Sequence, residues 1–465
     1  MIPPPPNPSR QGGDKQGASF PEIALNQFKG KRINAINRFF KIHERGSSIV
    51  TELRAGLTTF LTMAYILFVN PQILSAAGMP PQDVAIATAL AAAIATLMMG
   101  LYANFPFALA PGMGLNAYFT YGVVLGMGVD WRIALTAVFI EGILFMILAA
   151  SGLRSWIIDA IPHPLKIAIM TGIGLFLALI GFENARLTVD HPATLVTLGP
   201  LADPAVFLSL LGVILIGALL VKRIKGAILI GIMVLTGIAW GTGLTPLPEQ
   251  SISLPSLPEE TLLALDFSQI FSATLLTVII AFLFVDIFDT AGTLVGVGRL
   301  AGFLDKDDKL PGADRGFMAD ATGTTVGALV GTSTVTSYIE SAAGVEEGGR
   351  TGLTAVVVGV LFLLALFFTP LFIAVPAIAT APALIVVGAM MMQGAHDLDW
   401  TRMEVAIPGF LTIVTMPFTY SIAHGISLGI VSYVLLQVFT GRFREIHPVM
   451  AGLAGLLVLY YGFKG

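Results

Sequence analysis

Two stretches decide the fold: ALAPGMGLNAYF at residues 108–119 and TSTVTSYIESAA at residues 332–343. Both lie in apolar surroundings, yet neither reads as a helix that crosses a bilayer unbroken. In the first, Pro111 ends a short extended run before MGLNAYF resumes helical character. In the second, the β-branched TSTVTS favours a strand and IESAAG can then start a helix. Each is predicted to be a short strand leading into a half-helix. Non-helical backbone at membrane depth survives only where it is buried in protein or lines a cavity. The stretches are about 224 residues apart, and the same offset sets TTFLTMAYILFV (58–69) against FLFVDIFDTAGT (282–293). Matched breaks in the two halves of a chain point to a binding site in an inverted-repeat transporter.

The rest of the chain fits a polytopic membrane protein. Of its 465 residues 55% are hydrophobic and 12% charged, where a soluble domain carries about 25% charged residues. Mean hydropathy is +0.84. Spans are predicted at 53–74, 83–103, 107–127, 132–151, 163–182, 204–222 and 226–244. A second set follows at 271–298, 316–331, 333–347, 351–372, 378–396, 404–421 and 423–440. Fourteen spans in two sets of seven give halves of opposite topology, with the strands and half-helices in spans 3 and 10. The apolar run 448–463 is either a fifteenth span or a segment along the surface.

With a cytoplasmic N-terminus, KRIK (222–225), the 299–315 loop, Arg350, Arg402 and GRFR (441–444) fall inside, and only Arg132 and Arg186 outside. The acidic loop at 245–268, without Lys or Arg, falls outside. Residues 1–45 are predicted to be a cytoplasmic tail, disordered and Pro-rich over 1–20. Its basic stretch at 24–45 reads either as an interfacial amphipathic helix or as a plain basic tail. The chain has no cysteine, which removes disulfides and thiolate chemistry. No metal-ligand cluster, hydrolase triad or phosphate loop is present, so neither an enzyme nor a metal or cofactor protein is expected, and nothing suggests nucleic-acid binding. GVGRLAG (296–302) follows a membrane helix rather than a strand and reads as small-residue packing, and DKDD (305–308) as a solvated loop. His424, between Ser421 and Ser427, is a candidate near a break; the other histidines fall at span ends or in loops.

Asp286, Asp289, Glu340 and Asn116 are unusual by depth and chemistry. A carboxylate at the bilayer centre costs about 2.5–3.5 kcal/mol on the insertion scale. Each can be a ligand or proton site, and each can instead be structural, capping a half-helix or bonding to Thr and Ser. Desolvation favours the protonated form of a buried acid, which suits a proton-coupled carrier. Asp289, Glu340 and Asp286 are the candidates for that coupling.

At these residues the chain resembles a known family. TELRAGLTTFLTMAYILFVNP (51–71), ALAPGMGLNAYF, FVDIFDTAGTLVGVGRLAGFLD (284–305) and GTSTVTSYIESAAGVEEGGRTGLTA (331–355) are similar to the nucleobase–cation symporter family, in its AzgA-like branch of purine permeases. The likeness runs from about residue 45 to the C-terminus. It implies a core domain from residues 46–152 (spans 1–4) and 269–374 (spans 8–11), and a gate domain from 153–268 (spans 5–7) and 375–465 (spans 12–14). By motif match Asp289 and Glu340 fall on the acids of spans 8 and 10, and Asn116 on the functional Asn of span 3. Thr293 stands where uracil permeases carry a histidine, so a histidine proton step is not carried over. The implied substrates are adenine, guanine and hypoxanthine, taken up with H⁺ through the plasma (inner) membrane by a homodimer in the lipid bilayer.

A purine suits such a site. Glu340 or Asp289 can accept from a ring N–H, backbone N–H groups near Gly114 and Ser341 can donate to ring nitrogens or O6, and Phe288, Phe107 or Tyr118 can stack on the base. Tyr65 is a further candidate. The rival readings are an anion permease of the same fold, a passive nucleobase facilitator, and a receptor or scaffold without transport.

Overall fold

The two broken spans meet. In the computed structural model, which describes residues 35–151, 162–306 and 309–464, strand β1 (Leu109–Pro111) pairs antiparallel with β4 (Val335–Ser337). The register sets Ala110 against Thr336. Two further bonds extend the pairing: Gly112 N–H donates to Thr334 O at 2.9 Å and Tyr338 N–H to Ala108 O at 2.9 Å. Residues 1–34 of the tail expected over 1–45, and the domain boundary at 152, lie outside the described residues.

Helices follow the same order in both halves. In the first, α1 (Ile49–Met63) and α2 (Ile66–Ser75) form one bent helix, followed by α3 (Pro81–Met98), β1 with α4 (Met113–Ala117), and α5 (Trp131–Ser151). Then come α6 (His163–Asn184), α7 (Pro204–Val221) and α8 (Ala227–Gly241). The second half runs α9 (Ala273–Leu300), α10 (Ala313–Val330), β4 with α11 (Ser341–Glu346), and α12 (Gly352–Ala365) continued by α13 (Thr369–Ala374). It ends with α14 (Ala377–Met391), α15 (Met403–Phe418) and α16 (Ile422–Phe439).

Among the described residues, nine helical segments are long and apolar enough to cross a membrane. The other five of the expected fourteen differ for visible reasons. Spans 3 and 10 are broken at the strands, α8 and α15 are short, and α10 carries Asp314, Arg315 and Asp320. The helix starts follow their sequence signals: Ser48, Asp203, Ser272, Thr351 and Ser421 each accept a hydrogen bond from a backbone N–H in the first turn. The 448–463 run forms α17 (Pro448–Lys464), lying along α16 with Met450, Ala454 and Leu457 buried.

The expected strands lie in spans 3 and 10 only, and the structure adds a hairpin in the loop after α6. β2 (Thr188–His191) pairs with β3 (Leu195–Leu198). The strands flank a three-residue turn at Pro192–Thr194, where His191 Nδ1 accepts from the Ala193 and Thr194 N–H groups. This stretch is too polar for a span, and its β-branched residues take the ladder that a helix would otherwise provide.

Packing divides the helices into two sets. α1, α3, α5, α9, α10 and α12 pack on one another around the strand pair. α6, α7, α8, α14, α15 and α16 pack together beside them. Glu52, fully buried in α1, is satisfied within the first set: it accepts from Arg350 N, Thr351 N and Thr354 N at 3.0–3.3 Å and from Thr354 Oγ1 at 2.6 Å, capping α12.

The strand crossing leaves no spare volume. A Cβ on Gly112 would lie 2.5 Å from Thr336 Cγ2. Gly112→Ala is expected to cost about 1–3 kcal/mol of stability through overpacking, read as a lower melting temperature in detergent. Adding Thr336→Ser, which removes that methyl but keeps the hydroxyl, should recover most of the loss.

Candidate functional site

A cavity of about 940 Å³ lies between the two helix sets. One wall is the strand crossing and its neighbours: Gly112, Gly114, Thr336, Tyr338 and Glu340, with Asp289 and Thr293 from α9 and Tyr65 from the bend between α1 and α2. The other wall comes from the second set, with Met170, Val387, Met390 and Met391. At one end lie Arg223, Lys225 and Gly226 of the α7–α8 turn and Glu346 of α11.

Elementary constraints place each polar side chain. α9 is unbroken, so Asp286 and Asp289, three residues apart, share part of one face. Asp289 reaches the cavity. Asp286 points behind it, fully buried, where Thr324 Oγ1 donates to its Oδ2 at 3.3 Å. Glu340 sits at the turn between β4 and α11 and accepts from Tyr65 Oη at 2.5 Å. The 224-residue offset that pairs Asn116 with Glu340 also pairs Tyr65 with Asp289, so the repeat brings counterpart positions to one place. Tyr65 is available because the helix opens at Ala64–Tyr65, where the ladder shifts to shorter-range bonds such as Leu67 N to Ala64 O at 3.1 Å. Tyr338 Oη donates to Pro111 O at 2.6 Å and holds the two broken spans together.

Of the residues expected at the site, Asp289, Glu340, Thr293, Gly114 and Tyr65 line the cavity. Asn116, Ser341, Phe288 and Asp286 stand outside its lining. Asn116 is fully buried, accepting from Ser333 Oγ and donating to Pro111 O at 3.4 Å, so it braces the strand ends. Ser341 Oγ accepts from Ala108 N at 2.9 Å, and its own N–H donates to Tyr338 O at 3.1 Å. The ring of Phe288 lies 5.4 Å from Lys166 Nζ. The other stacking candidates are spent on packing, Phe107 against Phe105 and Tyr118 against Phe282. The aromatic rings at the cavity are those of Tyr65 and Tyr338. His424 lies outside the lining, its ring 5.8 Å from that of Tyr461.

Beside the helix-capping Glu52 and the buried Asp83, two fully buried acids inside membrane helices were not anticipated from the sequence, Glu141 in α5 and Asp320 in α10. The signal was present in VFIEGILF and FMADATGT, an acid inside a membrane helix, as in FLFVDIFDTAGT. Among the described residues no group of three or more His, Asp or Glu is arranged to hold a metal ion.

A permease family matches residues 51–428. The chain belongs to it. Among its relatives, the guanine/hypoxanthine permease PbuG of Bacillus subtilis is 47% identical over 437 residues, covering 91% of this chain and 99% of that one. The adenine permease AdeP of Escherichia coli is 43% identical over 424 residues, covering 91% and 95%. The transmembrane domain of a cyanobacterial bicarbonate transporter, BicA, superimposes with a TM-score of 0.61 at 16% identity, over 83% of this chain and 97% of that one. That likeness establishes the inverted-repeat transporter fold. The protein is thus a multi-pass membrane permease and not an enzyme.

Charged side chains line the mouth. Glu347, at the end of α11, accepts from Lys225 of the α7–α8 turn and from Arg54 Nε of α1 at 2.9 Å, tying the two helix sets at the Lys222–Lys225 end. The absence of native cysteine allows a direct check of access. A single cysteine at Ala343, in the cavity wall, is expected to react with an impermeant maleimide from the Lys222–Lys225 side. A cysteine at Leu247 should react only from the opposite side. Labelling of both from one side would reverse this geometry.

Proposed function

We propose that the protein takes up purine nucleobases (guanine, hypoxanthine and adenine) with protons across the plasma membrane, by alternating access. The observation that carries this reading is the pair of carboxylates, Asp289 and Glu340, in one cavity between two separately packed helix sets. A purine is flat and neutral, with N–H donors and ring-nitrogen acceptors on its edges. An ionised carboxylate accepts from a ring N–H, and a protonated one donates to a ring nitrogen. Two such groups divide the work: one fixes the base and the other carries the proton. The names of relatives such as PbuG and AdeP favour purines over other flat heterocycles. The likeness to anion carriers speaks for fold alone, and two acids in the cavity would repel an anion.

In this mechanism the set holding the strand pair serves as the core and the α6–α8 and α14–α16 set as the gate. The Glu347–Lys225 contact joins them at what the positive-inside pattern makes the cytoplasmic face. Binding of base and proton would favour rearrangement of one set against the other. Glu340, held by Tyr65, positions the base, and Asp289 exchanges the proton.

Radiolabelled hypoxanthine, guanine and adenine supplied to cells without their own purine permeases test the reading. Accumulation is expected, lost with a protonophore and in Asp289→Asn. Absence of uptake of all three, with the protein present in the membrane, would refute it. For the site itself, Glu340→Gln is expected to weaken base binding ten- to hundred-fold, the worth of a charge-assisted hydrogen bond of about 1.5–3 kcal/mol. Glu249→Gln, on the exposed outer loop, should leave binding unchanged, and equal binding in both variants would sink the assignment.

A further inference from the structure

Behind Asp289 the structure continues inward through a line of polar groups that reaches no surface. Thr336 shares the cavity wall with Asp289 and interacts with its carboxyl. Thr336 Oγ1 is 2.9 Å from Thr290 Oγ1, and Thr290 Oγ1 donates to Asp320 Oδ1 at 2.8 Å. Ser337 Oγ donates to the same oxygen at 3.1 Å. Asp320 is in electrostatic range of Asp286 and of Glu141, and the last two are within hydrogen-bonding reach of each other. Asp289 is half-buried at the cavity, and the other residues of the line are buried.

Counting hydrogens shows what this arrangement requires. From Asp289 to Asp320 there are three contacts and two threonine hydroxyl hydrogens. If Thr336 donates to Asp289 and Thr290 to Asp320, the two hydroxyl oxygens face each other with no hydrogen between them. One added proton, on Asp289 or on Asp320, satisfies all three contacts. Passing one hydrogen along each of the three contacts moves that proton from one end to the other and reverses both hydroxyls. The same logic holds for Glu141 and Asp286. Neither oxygen of Glu141 has a donor, and Oδ1 of Asp286 has none, so their contact is favourable only with a proton shared between them.

The surroundings supply no alternative counter-charge. Glu141 interacts with Asp286 from α9 and Asp320 from α10, and Asp286 also interacts with Asp289. Asp289 faces Glu340, Tyr338 and Thr336 from the β4–α11 segment. The cations of α5, α9 and α10 are Arg132, Arg299 and Arg315, each near a helix end. Among the described residues none of the buried acids Glu141, Asp286 and Asp320 forms an ion pair.

We propose that Glu141, Asp286 and Asp320 form an internal proton store, connected to Asp289 in the cavity by a relay through Thr336 and Thr290. The proton leaves the Asp289 carboxyl as Thr336 takes it and releases its own to Thr290, which in turn releases its hydrogen to Asp320. No bond other than O–H forms or breaks, and the hydroxyls are regenerated with reversed orientation. The store lets the cavity acid lose its proton while the cavity is occupied or closed to water. It rests on the proton-coupled reading above and adds Glu141, Asp320 and Thr290, which lie outside the cavity lining.

The test uses purified protein in liposomes and two rates from the same vesicles: guanine exchange at equal pH, and guanine accumulation driven by an inward acid gradient. Their ratio is independent of the amount of folded protein. Thr290 is outside the cavity wall, and Thr290→Val keeps its shape while removing the hydroxyl. Its ratio is expected to fall about ten-fold or more, within the range for loss of a positioned proton carrier, with Thr290→Ser restoring it. Glu141→Gln should lower the ratio similarly and shift the pH dependence of accumulation. Should Glu141→Gln lose both rates, the Thr290 pair decides. Acid-driven accumulation in the wild type with an unchanged ratio in Thr290→Val would overturn the relay alone. Absence of acid-driven accumulation in the wild type would overturn the proton-coupled reading and the relay with it.

Discussion

Backbone hydrogen bonding without water is the constraint on which this structure depends. Every N–H and C=O left unpaired in the apolar interior costs several kcal/mol, on the order of the penalty for an unmade bond in hydrocarbon. Interrupting two membrane helices is therefore tolerable only if the interruptions satisfy one another. β1 and β4 do this with a three-residue antiparallel register extended by Gly112 and Tyr338. The pairing draws two distant parts of the chain to one point and sets both half-helix starts in one wall of the cavity. Gly112 is small because Thr336 lies against it, and Tyr338 spends its hydroxyl on Pro111 O because that carbonyl sits at the break.

The same constraint explains how the acids are used. Glu52 is buried as deeply as any of them, yet its carboxylate takes three backbone N–H groups and one hydroxyl at the start of α12. It is a cap, and it completes a helix end that would otherwise be unsatisfied. Glu141 has no such donors. Burial alone does not separate structural from functional acids. The supply of donors sets Glu52 apart from Glu141, and that supply is invisible until the helices are packed.

Much of the architecture was legible because membranes leave few options. Pro111 and the TSTVTS run announced the two breaks, and the 224-residue spacing announced the repeat. Asp289, Glu340, Gly114, Thr293 and Tyr65 were readable as cavity residues from the same segments. Asn116 was readable as important but not as a brace, since its partner Ser333 is 217 residues away. Glu141 and Asp320 each stand alone in VFIEGILF and FMADATGT, in unbroken helices, with no second acid a turn away and no break to single them out. The bend at Ala64–Tyr65 has neither proline nor glycine at it, so no local signal marks it. The hairpin after α6 was hidden in what composition makes a plain loop.

These features favour a particular division of labour. The set containing the strand pair is crossed by hydrogen bonds from Asn70 to Thr332, Thr96 to the Leu109 backbone, and Thr324 to the Val335 backbone, at 2.8–2.9 Å. Networks of this kind hold their members in fixed geometry, because each lost bond strands a buried group. The opposing wall of the cavity is made largely of methionine and aliphatic side chains, Met170, Val387, Met390 and Met391. Such surfaces slide without breaking directional bonds, and methionine adapts to a changed neighbour. A relative movement at this boundary costs few hydrogen bonds, whereas one within the strand-bearing set would disrupt the crossing that holds the acids. The rigid side therefore carries the polar chemistry, and the apolar side supplies the surface against which it can move.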